Sequence, residues 1–159
     1  MNIVLRWVTH FLVGFVFYLL LVRVGLFRLE DVALAGLIIG SVFPDVDHPQ
    51  AFLGKIVKHR GIIHSLLACC ISSFVLAILL LIYNVSLLIA LAFFIGYLSH
   101  LAADSLTVMG VEWLQPFKKG KISFIIRTGS LGESAVATLL ILLIITLIIQ
   151  HYNIQIPRF

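Results

Sequence analysis

The sequence predicts an all-α fold: a polytopic membrane bundle of four to five transmembrane helices, the second of them short. Three observations carry this. Of 159 residues, 62% are hydrophobic and 11% charged, against roughly half and about a quarter in soluble domains. The apolar residues fall into five runs. The length suits a single integral-membrane domain over residues 1–159.

The first span runs from Trp7 to Val22, and on to Phe27 where Arg23 snorkels to the interface. Arg6 ahead of it imitates a signal peptide, but Leu21-Val22-Arg23-Val24-Gly25 offers no small-residue cleavage site, so the run is kept as a span. Arg28, Glu30 and Asp31 form a polar turn. The second run, Val32 to Phe43, is well short of the ~20 residues a full crossing needs. It is re-entrant, or a helix whose end sits below the membrane surface. Gly36 and Gly40 give it a small-residue face for close helix contact, and Pro44 ends it.

Ile62 to Tyr83 is the third span and Val85 to Ala103 the fourth. With little more than Asn84 between them they form an antiparallel hairpin. Residues 105–133 are the longest polar region; within it Ile122 to Ile126 suits the bilayer surface or a short strand. Ala135 to Ile149 is the fifth span. Cys69 and Cys70 are adjacent in an apolar helix and point apart, so they read as packing residues rather than a disulfide or metal pair.

Charge orients the chain. If all five segments cross, Arg6, Lys55, Lys58, Arg60, Lys118, Lys119, Lys121 and Arg127 share one side, and Arg23, Arg28 and Arg158 the other. The positive-inside rule then puts the N-terminus and the first group in the cytoplasm of a multi-pass cell-membrane protein. A re-entrant second segment would move Arg6 across and weaken the bias. The net charge of +4 thus reads as orientation, and no large basic face remains for nucleic acid.

The same crossings sort the ligand-type residues. His10, His48, His59, His64 and His100 fall at or near the cytoplasmic face with Asp45, Asp47 and Asp104; His151 lies opposite. His100 and Asp104, four apart, share one helix face, a metal-chelating spacing. His59 and His64 straddle the entry to span three. An extended Asp45-Val46-Asp47 points its carboxylates to opposite sides, one as ligand and one orienting a histidine from behind. Candidate ligands are therefore His10, Asp45, His59, His64, His100 and Asp104. This mixture suits a divalent ion, zinc or manganese, and its size admits one or two ions. Arg60, Glu133 and Asp47 are the candidate catalytic residues. Arg60 suits a phosphate; Glu133 suits a proton acceptor, outer ligand or arginine partner.

Blander readings stand beside these. His48 and His151 read as interfacial polar residues, and His100 with Asp104 as a hydrogen-bonded pair between helices. Asp45 and Asp47 suit turn chemistry, Arg60 a positive-inside anchor, and Glu133 a capping box with Ser130. Lys118, Lys119 and Lys121 suit anionic headgroups. Against them stands convergence: four helix ends bring His or Asp to one level beside lipid, where ionisable groups are costly.

These residues also carry a resemblance. Thr9-His10, Pro44-Asp45-Val46-Asp47-His48, His59-Arg60-Gly61-x-x-His64-Ser65 and Gly96-Tyr97-Leu98-Ser99-His100-x-x-x-Asp104 resemble the signature of the YdjM-type membrane-bound metal-dependent hydrolases. Thr107-x-x-Gly110, Trp113-Leu114-x-Pro116 and Arg127-x-Gly129-Ser130-x-x-Glu133 fit the same pattern. A more distant similarity is to zinc-dependent phospholipase C, in which a further histidine follows the His-x-x-x-Asp pair; here Thr107 stands nearby. The resemblance implies a metal-dependent hydrolase in the membrane. The expected function is hydrolysis of a phosphoester or lipid-linked substrate by metal-activated water, with membrane lipids as partners. A metal-ion or proton transporter, or a non-catalytic membrane protein with a structural metal, are the alternatives. The oligomeric state is left open.

Overall fold

The computed structural model describes residues 3–28, 32–47, 61–126 and 130–152, with side chains from Val8 in the first stretch and up to Val46 in the second. It contains five α-helices: α1 (Ile3–Arg23), α2 (Ala33–Val42), α3 (Leu66–Ile82), α4 (Leu88–Ser105) and α5 (Leu131–His151). Among the described residues there is no β-strand, only the isolated bridges Thr107–Ile126 and Val111–Ile122. The all-helical expectation holds.

The bundle is built around α4, which lies against α2 with almost no side chain between. A Cβ at Gly36 would stand 2.2 Å from the Ile89 carbonyl oxygen, at Gly40 2.1 Å from that of Phe93, and at Gly96 2.3 Å from that of Leu37. Only glycine permits such backbone contact. The small-residue face expected of Gly36 and Gly40 is the seam itself.

Contacts along the other helices fix their directions. His10 stacks on His100, Gly14 meets Ser99, and Tyr18 shares a core cluster with Ala92, so α1 runs antiparallel to α4. Cys69 Sγ lies 3.9 Å from the Phe94 carbonyl and the Tyr97 hydroxyl bonds the Ile63 carbonyl, so α3 is antiparallel too. Thr9 meets Glu133 and Arg23 meets Gln150, so α5 is parallel to α1. One end of the bundle therefore gathers the starts of α1, α3 and α5 and the ends of α2 and α4.

Burial divides the helices. Most of the second half of α4 is buried, whereas α5 buries only Glu133, Ala137, Ile144 and Leu147. Phe74, Leu81 and Ile82 of α3 and Leu139 and Leu142 of α5 are exposed. Apolar faces turned outward mark helices whose surroundings are themselves apolar. Leu88–Ser105 and Leu131–His151 have the length and composition to cross a membrane; Val8–Arg23, Ala33–Val46 and Leu66–Ile82 are shorter apolar helices.

Several local expectations are corrected. The third segment is not one helix from Ile62: a 3₁₀ turn spans Ile62–His64, Ser65 is extended, and α3 starts at Leu66. The cause is capping, since Ser65 Oγ accepts from Ala68 N at 3.2 Å and an N-cap residue must leave helical geometry. Asp45 and Asp47 lie in a 3₁₀ turn, Phe43–Asp47, not in an extended strip, because the fixed φ of Pro44 suits the start of a helical turn. Ser130 precedes α5 but makes no side-chain cap bond, so the capping box with Glu133 does not form. The segment from Ile122 to Ile126 folds back on residues 107–111, with Val111 N and Ile122 O 3.0 Å apart in one of two reciprocal bonds.

Candidate metal centre

The gathered end of the bundle holds five of the six candidate ligands. His10 comes from α1, Asp45 from the turn after α2, His64 from the turn before α3, and His100 and Asp104 from α4. His64 and His100 are fully buried; His10 and Asp104 are 6% and 2% exposed. His59, Arg60 and His48 lie outside the described residues, and Asp47 is described only as the last residue of its turn.

Three donor atoms form a compact triangle. His64 Nε2 and His100 Nε2 are 3.3 Å apart, and Asp104 Oδ2 lies 3.5 Å from the first and 3.6 Å from the second. Asp45 Oδ1 stands slightly further off, 4.0 Å from His64 Nε2 and 3.8 Å from His100 Nε2. The other oxygen of Asp104, Oδ1, lies 3.5 Å from His10 Nε2, whose ring stacks on His100 with centroids 4.0 Å apart. Two overlapping groups can thus hold a metal ion, Asp45–His64–His100 and His10–His100–Asp104.

The local sequence sets each of these side chains. The i, i+4 spacing puts His100 and Asp104 on one face of α4. His64 is fixed by its own turn, its N–H donating to Gly61 O at 2.9 Å, and by the Tyr97 hydroxyl on the preceding carbonyl. Asp45 reaches inward because the tight turn after Val42 rotates it there. His100 is oriented through Nδ1, 2.8 Å from the Ser41 carbonyl oxygen. A carbonyl only accepts, so Nδ1 carries the proton and the Nε2 lone pair faces the other donors, as metal-binding imidazoles are commonly arranged.

The Ser41 carbonyl was not legible as a site group, since every residue has one. The available signal was Pro44, which has no N–H to give the carbonyls three and four residues earlier. Thr9 was also missed: its hydroxyl donates to Glu133 Oε1 at 3.3 Å. Glu133 is 6% exposed and shares with Thr9, His10, Asp104 and Thr107 a cavity of about 40 Å³, enough for a water or two. His151, exposed and beside Tyr152 at the far end, takes no part.

The residues fit a divalent ion. A tetrahedral site with metal–donor lengths of about 2.0–2.2 Å has edges of roughly 3.3–3.6 Å, which are the sides of the His64–His100–Asp104 triangle. The donor set, imidazole with carboxylate, is that of zinc, manganese or iron sites.

Comparison with known proteins agrees with the sequence resemblance. The profile of a family described as YdjM inner membrane protein matches residues 5–156. Two relatives named Inner membrane protein YdjM, from Escherichia coli (strain K12) and Shigella flexneri, are each 38% identical over 100 residues, covering 50% of this chain and 46% of the relative. The chain thus matches about half the length of these curated relatives. No solved structure matches, and the likeness to zinc-dependent phospholipase C has no counterpart in these matches.

Proposed function

The chain belongs to the YdjM inner membrane protein family, and we propose that it is a membrane-embedded metal-dependent hydrolase of a phosphoester or lipid-linked substrate. The observation that carries this is the donor triangle, whose edges of 3.3, 3.5 and 3.6 Å suit three protein ligands of one ion. Asp45, further out and with a side chain 12% exposed, leaves the fourth direction adjustable, as a catalytic rather than a structural site requires. When bound, a zinc or manganese ion supplies Lewis acidity to activate water and polarise a phosphoryl oxygen.

The chain's own residues do the rest. His64, His100 and Asp104 would hold the ion, with Asp45 as a further oxygen donor beside them. Asp104 Oδ1 and His10 Nε2 begin a second site on the other side of the same carboxylate. Glu133, across a water-sized cavity from Asp104, accepts a proton at its carboxylate, with Thr9 fixing Oε1. Arg60 suits a phosphate by residue type, and Asp47 and His59 are further candidates by their nearness in sequence to Asp45 and His64.

The helix directions support a five-crossing topology, with the centre at the cytoplasmic face where eight of the eleven lysines and arginines collect. The test is metal content and turnover together. Protein purified in mild detergent should carry zinc or manganese by mass spectrometry, and His100→Ala and Asp104→Ala should lose it. Hydrolysis found in a screen of phosphomonoesters, diesters and phospholipids should vanish on chelation and in Asp45→Ala. A wild-type protein without metal would sink the proposal. Metal-dependent ion movement across liposomes without hydrolysis would favour transport instead.

A further inference from the structure

We propose that the apolar recess between the start of α3 and the end of α2 holds an acyl chain of an anionic glycerophospholipid, bringing its phosphate-bearing headgroup to the metal centre from within the bilayer. This rests on the hydrolase reading above and adds to it the substrate class and the seat of its tail. The recess measures about 310 Å³, and Phe43, Ile63, Leu67, Ala68, Ile71 and Tyr97 are among its lining. That volume is at the low end for small-molecule sites, roughly 300–1,000 Å³. Both side-chain hydroxyls of its lining are engaged with backbone, Tyr97 donating to the Ile63 carbonyl and Ser72 to the Ala68 carbonyl, so what remains is mostly hydrocarbon.

Its position ties it to the centre through three elements. Ile63 directly precedes His64 in one 3₁₀ turn. Val46, also in its lining, directly follows Asp45 in the other. Tyr97 stands one helical turn before His100. Ile62 and Ile71 at the rim are 47% and 55% exposed, so the recess opens sideways, toward the apolar surroundings that α3 faces. A chain lying here would have its head at the level of His64 and Asp45.

A second recess of about 260 Å³ supplies the charge preference. It shares Leu67 with the first and runs along Trp113 and Leu114 to Phe117. Lys118, Lys119 and Lys121 follow at once, all exposed. Ammonium groups at this end of the bundle favour an anionic headgroup over a zwitterionic one.

The test is photolabelling of the full chain in detergent with phosphatidylglycerol carrying a diazirine in one acyl chain. Label should concentrate in residues 43–46 and 62–71 and be displaced by excess unlabelled phosphatidylglycerol. Ala68→Trp fills the recess and should lower that labelling about tenfold, and Ala68→Leu should lower it by less. Gel-filtration and thermal-unfolding profiles show whether each variant is folded, and the leucine variant keeps the test open should the larger ring prevent folding. Label spread evenly over α3 and α5, or untouched in folded variants, overturns the proposal. Equal labelling by the phosphatidylcholine analogue overturns the choice of an anionic lipid. Labelling requires no bound metal and no turnover, so its outcome separates from that of the hydrolase reading, which metal content and ester hydrolysis decide.

Discussion

His100 has committed Nδ1 to the Ser41 carbonyl, so it has one nitrogen, Nε2, to offer a single ion, although the residue is common to both ligand groups. Asp104 is the complementary residue, turning one oxygen to His64 and His100 and the other to His10. Carboxylates that bridge in this way suit paired ions. His10→Ala is therefore expected to halve the metal bound per chain, where Asp104→Ala abolishes it; mass spectrometry of the purified variants reads both. Glu133 is separated from the donor triangle by its cavity, so Glu133→Gln should keep the full metal content and lower turnover by roughly 10²–10⁴-fold, the range for losing a general acid or base. A fall in bound metal would make Glu133 a ligand instead. What the sequence displayed at this scale was residue type and spacing, enough for the pairing of His100 with Asp104 across one turn. It did not display the partners that aim His100 and Glu133, because the Ser41 carbonyl and the Thr9 hydroxyl belong to groups found throughout any chain.

At the scale of elements, the depth of the centre depends on how closely α2 approaches α4. Gly36, Gly40 and Gly96 put backbone on backbone, and α2 leads directly into the turn bearing Asp45 and the carbonyl that orients His100. Gly40→Ala places a methyl 2.1 Å from the Phe93 oxygen, a clash that the two backbones relieve only by separating. Overpacking of this kind costs about 1–3 kcal/mol, so the variant should unfold several degrees lower and bind metal more weakly. Gly120→Ala, with nothing within 4 Å of the added carbon, is the matched control and should do neither. Equal stability of the two variants would remove the seam from the account. This seam was readable because two glycines four apart have few other uses in an apolar helix. The break at Ser65 was not: hydropathy runs unbroken through Ile62 and Ile63 into α3, and only the cap bond to Ala68 marks where the helix begins. The same holds for Asp45, whose 3₁₀ setting follows from continuing α2 past Pro44 and leaves no trace in hydropathy.

For the whole molecule, the alternation of helix directions converts a set of buried contacts into a topology. Ten residues of α2 and the first three of its 3₁₀ turn, up to Asp45, rise about 21 Å together, from ~1.5 and ~2.0 Å per residue. The hydrocarbon layer is about 30 Å thick, so an α2 that starts at the far interface would leave Asp45 roughly 9 Å inside the near one. His10, seven residues into α1, sits roughly 10 Å from that helix's start by the same rise, which gives a similar depth. The shortness that made the second segment ambiguous as a crossing is therefore what an inset centre demands. The proposed five crossings would put Asn84, at the α3–α4 turn, outside, and Lys119, in the loop after α4, in the cytoplasm. In a background with Cys69 and Cys70 replaced by serine, Asn84→Cys should react in intact cells with a membrane-impermeant maleimide, and Lys119→Cys only after the membrane is opened. Both reacting from outside, or the reverse pattern, would break the link between this bundle and the cytoplasmic placement of its centre. It would also remove the reason for reading the lysine loop as a companion to anionic lipid on the same face.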